Sequence, residues 1–396
     1  MKSPAVAAGF VALFATALLA ARGLPAQEAS PLVPARAVAY SMDGKLLAIG
    51  YGTKEIAGGL LIWDLDEGKT VLNSRHDRGV SSVAFSPDGR LVAFANYDRA
   101  PQVLEIASSQ IVATLAENRR GPLAFSPDGK TLVTGCMDKS IPLWDVKSRA
   151  DRQVLSGAKD RTYGSFVFSS DGSLLLTPCG SVGVYLWDLR TGEPKHILQH
   201  GSSFTRSALF SPDGRWIVTG GWDGTIRLWD AAGGEPRARL GSFGGVDALA
   251  YAAESRLLAV CAGGKDVQLF HLPFDSPSAD QLAQVRTLLS RFEDDQYATR
   301  EAASAELVKL GFIAEAELKR AMAESPSAEV RIRARRARQA ILRSSQGGLS
   351  GHEGKVACAV FSASGKLMAS GSDDGTVRLW DVATRAEVAR IVPAMP

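Results

Sequence analysis

A histidine and an aspartate that could share a proton, His352 and Asp374, stand near the carboxyl end of the chain, with Ser370 between them and Trp380 just beyond. Such a pair is the raw material of a catalytic dyad, in which a carboxylate orients an imidazole that takes a proton from a nucleophile or a water. The same residue types recur with the same spacing at Thr219, Asp223 and Trp229, with His200 displaced by one position. A constellation that repeats is a folding device before it is a site, because each copy can satisfy its own polar groups inside its own unit. Other chemistry finds no foothold. The chain has no Gly-x-Ser-x-Gly, no phosphate-binding glycine loop and no Cys-x-x-Cys; its one His-x-x-x-His pair, His196 and His200, has no cysteine pair to complete a zinc set, and the other 3 of its 5 histidines are scattered. No catalytic, cofactor-binding or metal-binding residue is expected.

The elements that hold these residues are written in a repeated phrase. Ser86-Pro87-Asp88-Gly89 returns as Ser126-Pro127-Asp128-Gly129, Ser170-Asp171-Gly172 and Ser211-Pro212-Asp213-Gly214. Proline presets φ and glycine accepts a positive φ, so the phrase reverses the chain between two strands. Apolar residues alternate around it, as at Val83 and Phe85 before the turn and Leu91 and Ala93 after it, the period of a half-buried strand. Leu174-Leu175-Leu176 and Leu257-Leu258-Ala259-Val260 are continuous instead, as strands covered on both faces must be. Each copy of about 40 to 45 residues ends on Leu-Trp-Asp or a drifted form of it, the layout of one four-stranded propeller blade.

The last copy reads Gly351-His352, Ser370-Gly371-Ser372, Asp373-Asp374-Gly375-Thr376 and Val377-Arg378-Leu379-Trp380-Asp381. Its closing pair recurs at Trp229-Asp230, Trp187-Asp188, Trp144-Asp145 and Trp63-Asp64, and in drifted form at Leu104-Glu105 and Phe270-His271. These copies resemble WD40 repeats. The resemblance implies an all-β fold, a seven-bladed WD40-type β-propeller, with blades one to six over 36–274 and blade seven over 347–396. It implies that His352, Ser370, Asp374 and Trp380 form a hydrogen-bond relay within blade seven, and Thr219, Asp223 and Trp229 a similar one in blade five. His76 takes the histidine position of blade two. Blades one, three, four and six lack part of the relay and are expected to be held more by packing. Blade seven owns all its strands, 387–392 being the outermost, so the ring is expected to close by blade packing and without an exchanged strand at Leu32-Val33.

The spacing breaks once, between Phe270 and Gly351, where the chain has about 70 residues more than a repeat needs and the apolar period becomes helical. Ser278 and Gln281 make a capping box ahead of Leu282, Val285 and Leu289. Tyr297 to Leu310 is a second helix ended by Gly311, and a third covers Ala314 to Ala323. A fourth has Ser325 as cap and Pro326 in its first turn, with Val330, Ala334, Ala337 and Ile341 on one face. The insertion over 275–346 resembles a HEAT-like helical repeat. It interrupts blade six before its outermost strand, so it is expected on the face of the Ser-Pro-Asp-Gly turns or at its rim, away from the face carrying His352 and Asp374, with Ser345 to Ser350 returning as a ragged outer strand. Its last helix carries Arg331, Arg333, Arg335, Arg336, Arg338 and Arg343. Glu329 and Arg333 form an i,i+4 pair of a solvated face; an acidic partner surface or anionic membrane headgroups are the functional alternatives.

With 396 residues, 45% of them apolar, the chain can bury a large core, and its near-average composition excludes a disordered or collagen-like protein. A net charge of only +3 gives no footprint for nucleic acid. Lys2, an apolar run from Ala5 to Ala21 and Pro25-Ala26-Gln27 read as a secretory signal over 1–26, followed by a short linker over 27–35. An uncleaved amino-terminal anchor is the alternative, and either one places the propeller outside the cytoplasm, periplasmic or secreted. No other stretch is apolar enough to span a bilayer. Cys136, Cys179, Cys261 and Cys358 are expected to be free thiols, since equivalent points in adjacent blades lie too far apart to bridge.

These features point to a non-enzymatic scaffold for a protein partner, with no cofactor and no nucleic acid. A small-ligand binder or enzyme at the channel mouth, or an accessory subunit of a larger assembly, are the alternatives. The loops toward that mouth hold Arg78, Arg119, Arg120, Lys159, Asp160, Arg161, Phe204, Arg206 and Asp247. This mixture leans basic and suits an acidic protein surface. Arg331, Arg335 and Arg338 are the corresponding candidates on the helical arm.

Overall fold

Each Ser-Pro-Asp-Gly turn is locked from within. Ser86 Oγ donates to Asp88 Oδ1 at 2.5 Å and accepts from the Leu91 N–H at 2.9 Å, while Gly89 takes a φ of 69°. The serine-to-aspartate bond recurs at Ser41, Ser126, Ser169 and Ser211. In the fourth copy the locking serine is therefore Ser169, and Ser170 stands where other copies have proline. The aspartate of each Trp-Asp closes the next turn in the same way. Asp64, Asp145 and Asp381 each accept at 2.7 Å from the N–H three residues on, that of Glu67, Ser148 or Thr384.

The structure, a computed structural model, describes residues 33–393 apart from 202, 241–242, 273, 275–278 and 344–346. The expected signal, most of the linker and Ser278 lie outside the described residues. The two turn types fold the copies into 7 antiparallel sheets of 4 strands, ordered within each sheet as in the chain. They span 35–76, 80–114, 119–155, 167–198, 205–240, 248–349 and 356–391, with the first strand of each nearest the axis. Second strands such as Leu46–Tyr51 and Leu367–Ser372 are buried along all but their first residue, whereas outermost strands such as Glu193–Leu198 stay mostly exposed.

Burial is organised by seam. Each pair of neighbouring blades shares an apolar cluster, such as Val133, Leu143, Phe166 and Trp187 between blades three and four. The seam between blades one and seven is made of Val33, Ala35, Leu47, Val377, Leu379 and Ile391. Blade seven consists of its own strands, so the ring closes through this cluster, and Val33 joins it as a side chain without forming a strand. The four cysteines are unbridged. Burial pushes the Cys179 thiol up to about 12, which makes it an inert apolar filler.

Blade six is interrupted after its third strand, Val267–His271, and resumes as Gly348–Leu349, which pairs with Gln268 and Val267. Between them lie α1 (Ala279–Ser290), α2 (Tyr297–Leu310), α3 (Glu315–Glu324) and α4 (Ala328–Arg343). Gly311, with φ 60°, ends α2. The cap expected at Ser325 moves to Ser327, whose Oγ accepts from the Val330 N–H at 3.3 Å. Ser325 is extended at ψ 131°, as a residue before proline prefers, and ends α3 instead. Val330, Ala334, Ala337 and Ile341 pack on Val285, Phe292, Leu307 and Leu318 in a core separate from the blades. Lys319 Nζ donates to the Arg237 carbonyl at 2.7 Å, which seats the bundle beside the outermost strand of blade five.

Candidate functional site

The dyad residues of blade seven are tied into their own sheet. Trp380 Nε1 donates to Ser370 Oγ at 2.8 Å, the Ser370 hydroxyl donates to His352 Nε2 at 2.7 Å, and His352 Nδ1–H donates to Asp374 Oδ2 at 2.9 Å. The Asp374 carboxylate can only accept, so the proton sits on Nδ1, Nε2 accepts from Ser370, and the imidazole tautomer is assigned. Burial alone would raise the Asp374 carboxyl. Bonds from the Thr376 hydroxyl, the Glu353 N–H and His352 outweigh it and hold the group well below the usual carboxylate range. Burial likewise holds His352 below its ordinary value. The His352 side chain is 0% exposed, so no substrate reaches the ring. The relay joins the loop before the first strand to the second and third.

Blade five repeats this despite its displaced histidine. Thr219 Oγ1 accepts from Trp229 Nε1 at 2.8 Å and donates to His200 Nε2 at 2.5 Å, and His200 Nδ1 lies 3.4 Å from Asp223. Burial, helped by the nearby Arg227 charge, pushes His200 down to about 4. Blade four keeps half the relay, with Trp187 Nε1 donating to Thr177 Oγ1 at 2.8 Å. In blade two Phe94 occupies the serine position, and His76 packs on its ring at 5.4 Å.

On the same face as these histidines the first strands enclose an axial cavity of about 810 Å³. Arg120, Arg161 and Arg206 line it, joined by Arg36, Lys54 and Lys355, which sequence reasoning had not singled out. Asp247 takes Lys355 at 2.8 Å and Arg206 at 3.8 Å, and Arg36 meets Asp373 at 3.0 Å. Among the described residues the guanidinium groups of Arg120 and Arg161 bond only to backbone carbonyls, among them those of Arg119 and Met137. Arg78 donates to the Lys54 carbonyl outside the cavity lining.

Three expected partner-binding arginines are engaged elsewhere. Arg119 is 4% exposed and clamps Asp151 at 2.5 and 2.6 Å. Neighbours along a strand point to opposite sides, so Arg119 turns into its blade while Arg120 faces the axis. On α4, Arg331 donates to the Ser325 and Pro326 carbonyls, and Arg338 to Glu315 at 2.8 Å. They hold α3 and α4 together. Arg335 remains exposed.

Beside the cavity mouth runs an exposed apolar crescent across blades two to five. Tyr97, Met137, Tyr163, Phe204 and Trp222 form it, with Met137 50% and Trp222 49% exposed. Phe204 contacts Tyr163 at 5.8 Å and Trp222 at 5.6 Å between ring centroids, and the Arg206 guanidinium lies 5.7 Å from the centre of the Trp222 ring. Of these, only Phe204 had been picked out from sequence. A signal for others was present, since Tyr97, Met137 and Trp222 each directly follow the second strand of their copy. Among the described residues no group of acidic, cysteine and histidine side chains is arranged to hold a metal, and no helix is long and apolar enough to cross a membrane.

Residues 69–100, 123–145, 192–230 and 343–381 match the family model "WD domain, G-beta repeat". The chain is 39% identical over 83 residues to WD repeat, SAM and U-box domain-containing protein 1 of Danio rerio, covering 20% of this chain and 17% of that protein. It is 29% identical over 129 residues to U3 small nucleolar RNA-associated protein 12 of Saccharomyces cerevisiae, covering 32% of this chain and 13% of the relative. With small ribosomal subunit protein RACK1 of Drosophila melanogaster it shares 30% identity over 124 residues, 28% of this chain and 37% of the other. The aligned stretches thus span well under half of each relative. Seven four-stranded sheets in one ring, read together with these matches, make the chain a WD40-repeat β-propeller protein with a helical segment inserted in its sixth blade.

Proposed function

We propose that this protein is a non-enzymatic assembly scaffold that binds an acidic protein partner on the relay face of its propeller. WD40-repeat proteins act as protein-interaction scaffolds or assembly subunits. The observation that carries the reading here is the exposed crescent of Tyr97, Met137, Tyr163, Phe204 and Trp222 lying against Arg120, Arg161 and Arg206. Rigid aromatic rings beside arginines are the composition of binding hot spots. Exposed apolar surface with rings in contact, as at Tyr163, Phe204 and Trp222, marks interaction sites. Trp222→Ala with Tyr163→Ala is expected to abolish capture of the partner by a photoreactive group at Met137, while deletion of 275–346 leaves capture intact. Capture lost on the deletion and kept in the double variant would move the site to the helices.

Protein is preferred over nucleic acid because Asp247 and Asp373 interrupt the basic rim and the net charge is only +3. One relative is RNA-associated by name, so a gel-shift assay with single-stranded RNA belongs to the test; no shift at physiological salt is expected. We also place the protein outside the cytoplasm, on Lys2 and the apolar run that follows it. Amino-terminal sequencing of the mature protein is expected to begin at Gln27, and an intact Met1 with membrane fractionation would support the anchored form. The inserted bundle is read as a HEAT-like spacer that flanks blade five, with anionic headgroups as its alternative partner.

A further inference from the structure

We infer that the axial cavity is a binding site for a compact cluster of anionic oxygens, such as a polyphosphate or polycarboxylate. Six cations line it, Arg36, Lys54, Arg120, Arg161, Arg206 and Lys355, against the single lining carboxylate of Asp247. Asp247 and Asp373 engage three of the six. Lys54, Arg120 and Arg161 have no carboxylate partner among the described residues. A cavity lined mostly by one sign of charge, with low-dielectric walls, focuses its field on whatever enters, and guanidinium groups match phosphate and carboxylate geometry. The wall makes a second, independent demand. Asn96 is 2% exposed and lines the cavity, yet neither its Nδ2 nor its Oδ1 has a hydrogen-bond partner. A buried amide is ordinarily satisfied, and both atoms lie beneath the cavity surface, so a turn of the Asn96 side chain that brings Nδ2 to a ligand oxygen supplies what the fold leaves open. The cavity volume of about 810 Å³ lies within the usual range for small-ligand sites.

This chemistry has two sources, a free small polyanion or the acidic side chains of a bound protein, and calorimetric titration separates them. The probes are inorganic triphosphate and a hexaglutamate peptide, added to the full propeller protein at low salt. Saturable one-to-one binding of triphosphate is expected, weakened about tenfold or more in Arg120→Gln with Arg161→Gln, which removes two charge-assisted contacts. The charge-matched control Lys147→Gln with Arg149→Gln, on an outer turn of blade three, is expected to bind as the wild type does. Asn96→Asp, which places a carboxylate in the wall, is expected to lose binding; should that variant not fold, the arginine pair decides alone. Hexaglutamate bound without triphosphate, and equally sensitive to the arginine pair, would assign the cavity to side chains of the protein partner. No saturable binding of either probe, or equal weakening by the control pair, overturns the inference.

Discussion

Thr219 is the pivot of the blade-five relay, accepting from Trp229 and donating to His200. Valine keeps its shape and removes the hydroxyl, so Thr219→Val strands an indole N–H and an imidazole nitrogen where the threonine has no exposed surface. Chemical unfolding is expected to show a loss of about 2–4 kcal/mol. Thr177→Val, which strands the Trp187 indole and gives up a weak contact to the Cys179 thiol, is expected to cost roughly half as much. The relay also makes stability depend on pH. His200 is held at about 4 against an ordinary 6.5, so between those values the unfolded chain binds the proton more readily than the folded one. The contribution is complete above pH 6.5 and declines as the pH falls toward 4, by up to roughly 3 kcal/mol for a wholly buried ring. Asp374, held low by its hydrogen bonds, adds a further loss below the ordinary carboxylate value of 3.8. Denaturant midpoints measured from about pH 8 to about pH 4.5 are expected to fall, and His200→Gln to flatten much of that slope.

The helical insertion behaves as a unit because its core is its own, and Arg333 ties that unit together. Its guanidinium is buried, reaches Glu301 on α2 at 2.6 Å and Glu329 on α4 at 2.5 Å, and lies 5.8 Å from the centre of the Tyr297 ring. Both carboxylates are about half exposed, 49% and 50%, so they rehydrate when the cation is removed. Arg333→Met is therefore expected to cost only about 1–2 kcal/mol. Hydrogen exchange is the measurement, with amides of α2 and α4 accelerating and those of the blades unchanged; equal acceleration in both would mean the bundle and propeller unfold as one. The end of α2 at Gly311 and the buried face of α4 were legible in the sequence because each rests on short spacing along the chain, and the blade-seven relay was legible through the resemblance of its copy to WD40 repeats. The destinations of the arginines were not. Charge density along α4 is visible, but Glu315 and Glu301 come to meet Arg338 and Arg333 from other helices. Arg119 and Arg120 differ by one position, and only the phase of the strand decides which enters the blade. Most of the aromatic crescent was hidden because its residues come from four copies, with only Phe204 and Trp222 sharing one, and they become a surface only when the blades stand side by side.

At the scale of the ring, the seams between blades are not built alike. Ser82 Oγ accepts from the Leu123 N–H at 3.1 Å and Ser207 Oγ from the Leu249 N–H at 2.9 Å, so blades two and three, and five and six, are latched by hydrogen bonds near the axis. At the closing seam Cys358 stands in the serine position, and the polar link is the Arg36–Asp373 pair, each side chain about a third exposed at 30% and 34%. An ion pair that open to water contributes about 0–1 kcal/mol. Closure therefore rests on the apolar cluster in which Leu379 is 2% exposed. Leu379→Ala is expected to destabilise the protein by about 2–5 kcal/mol, and Arg36→Gln by less than about 1 kcal/mol. Leu186→Ala, at the seam of blades four and five, serves as the reference for an internal junction. If the closing seam is held as the internal ones are, both leucine variants unfold in a single transition with similar losses. An early separate transition confined to Leu379→Ala would mean that the first and seventh blades part before the rest of the ring. A loss in Arg36→Gln as large as that in Leu379→Ala would instead make the closure electrostatic, and its stability would then fall with added salt.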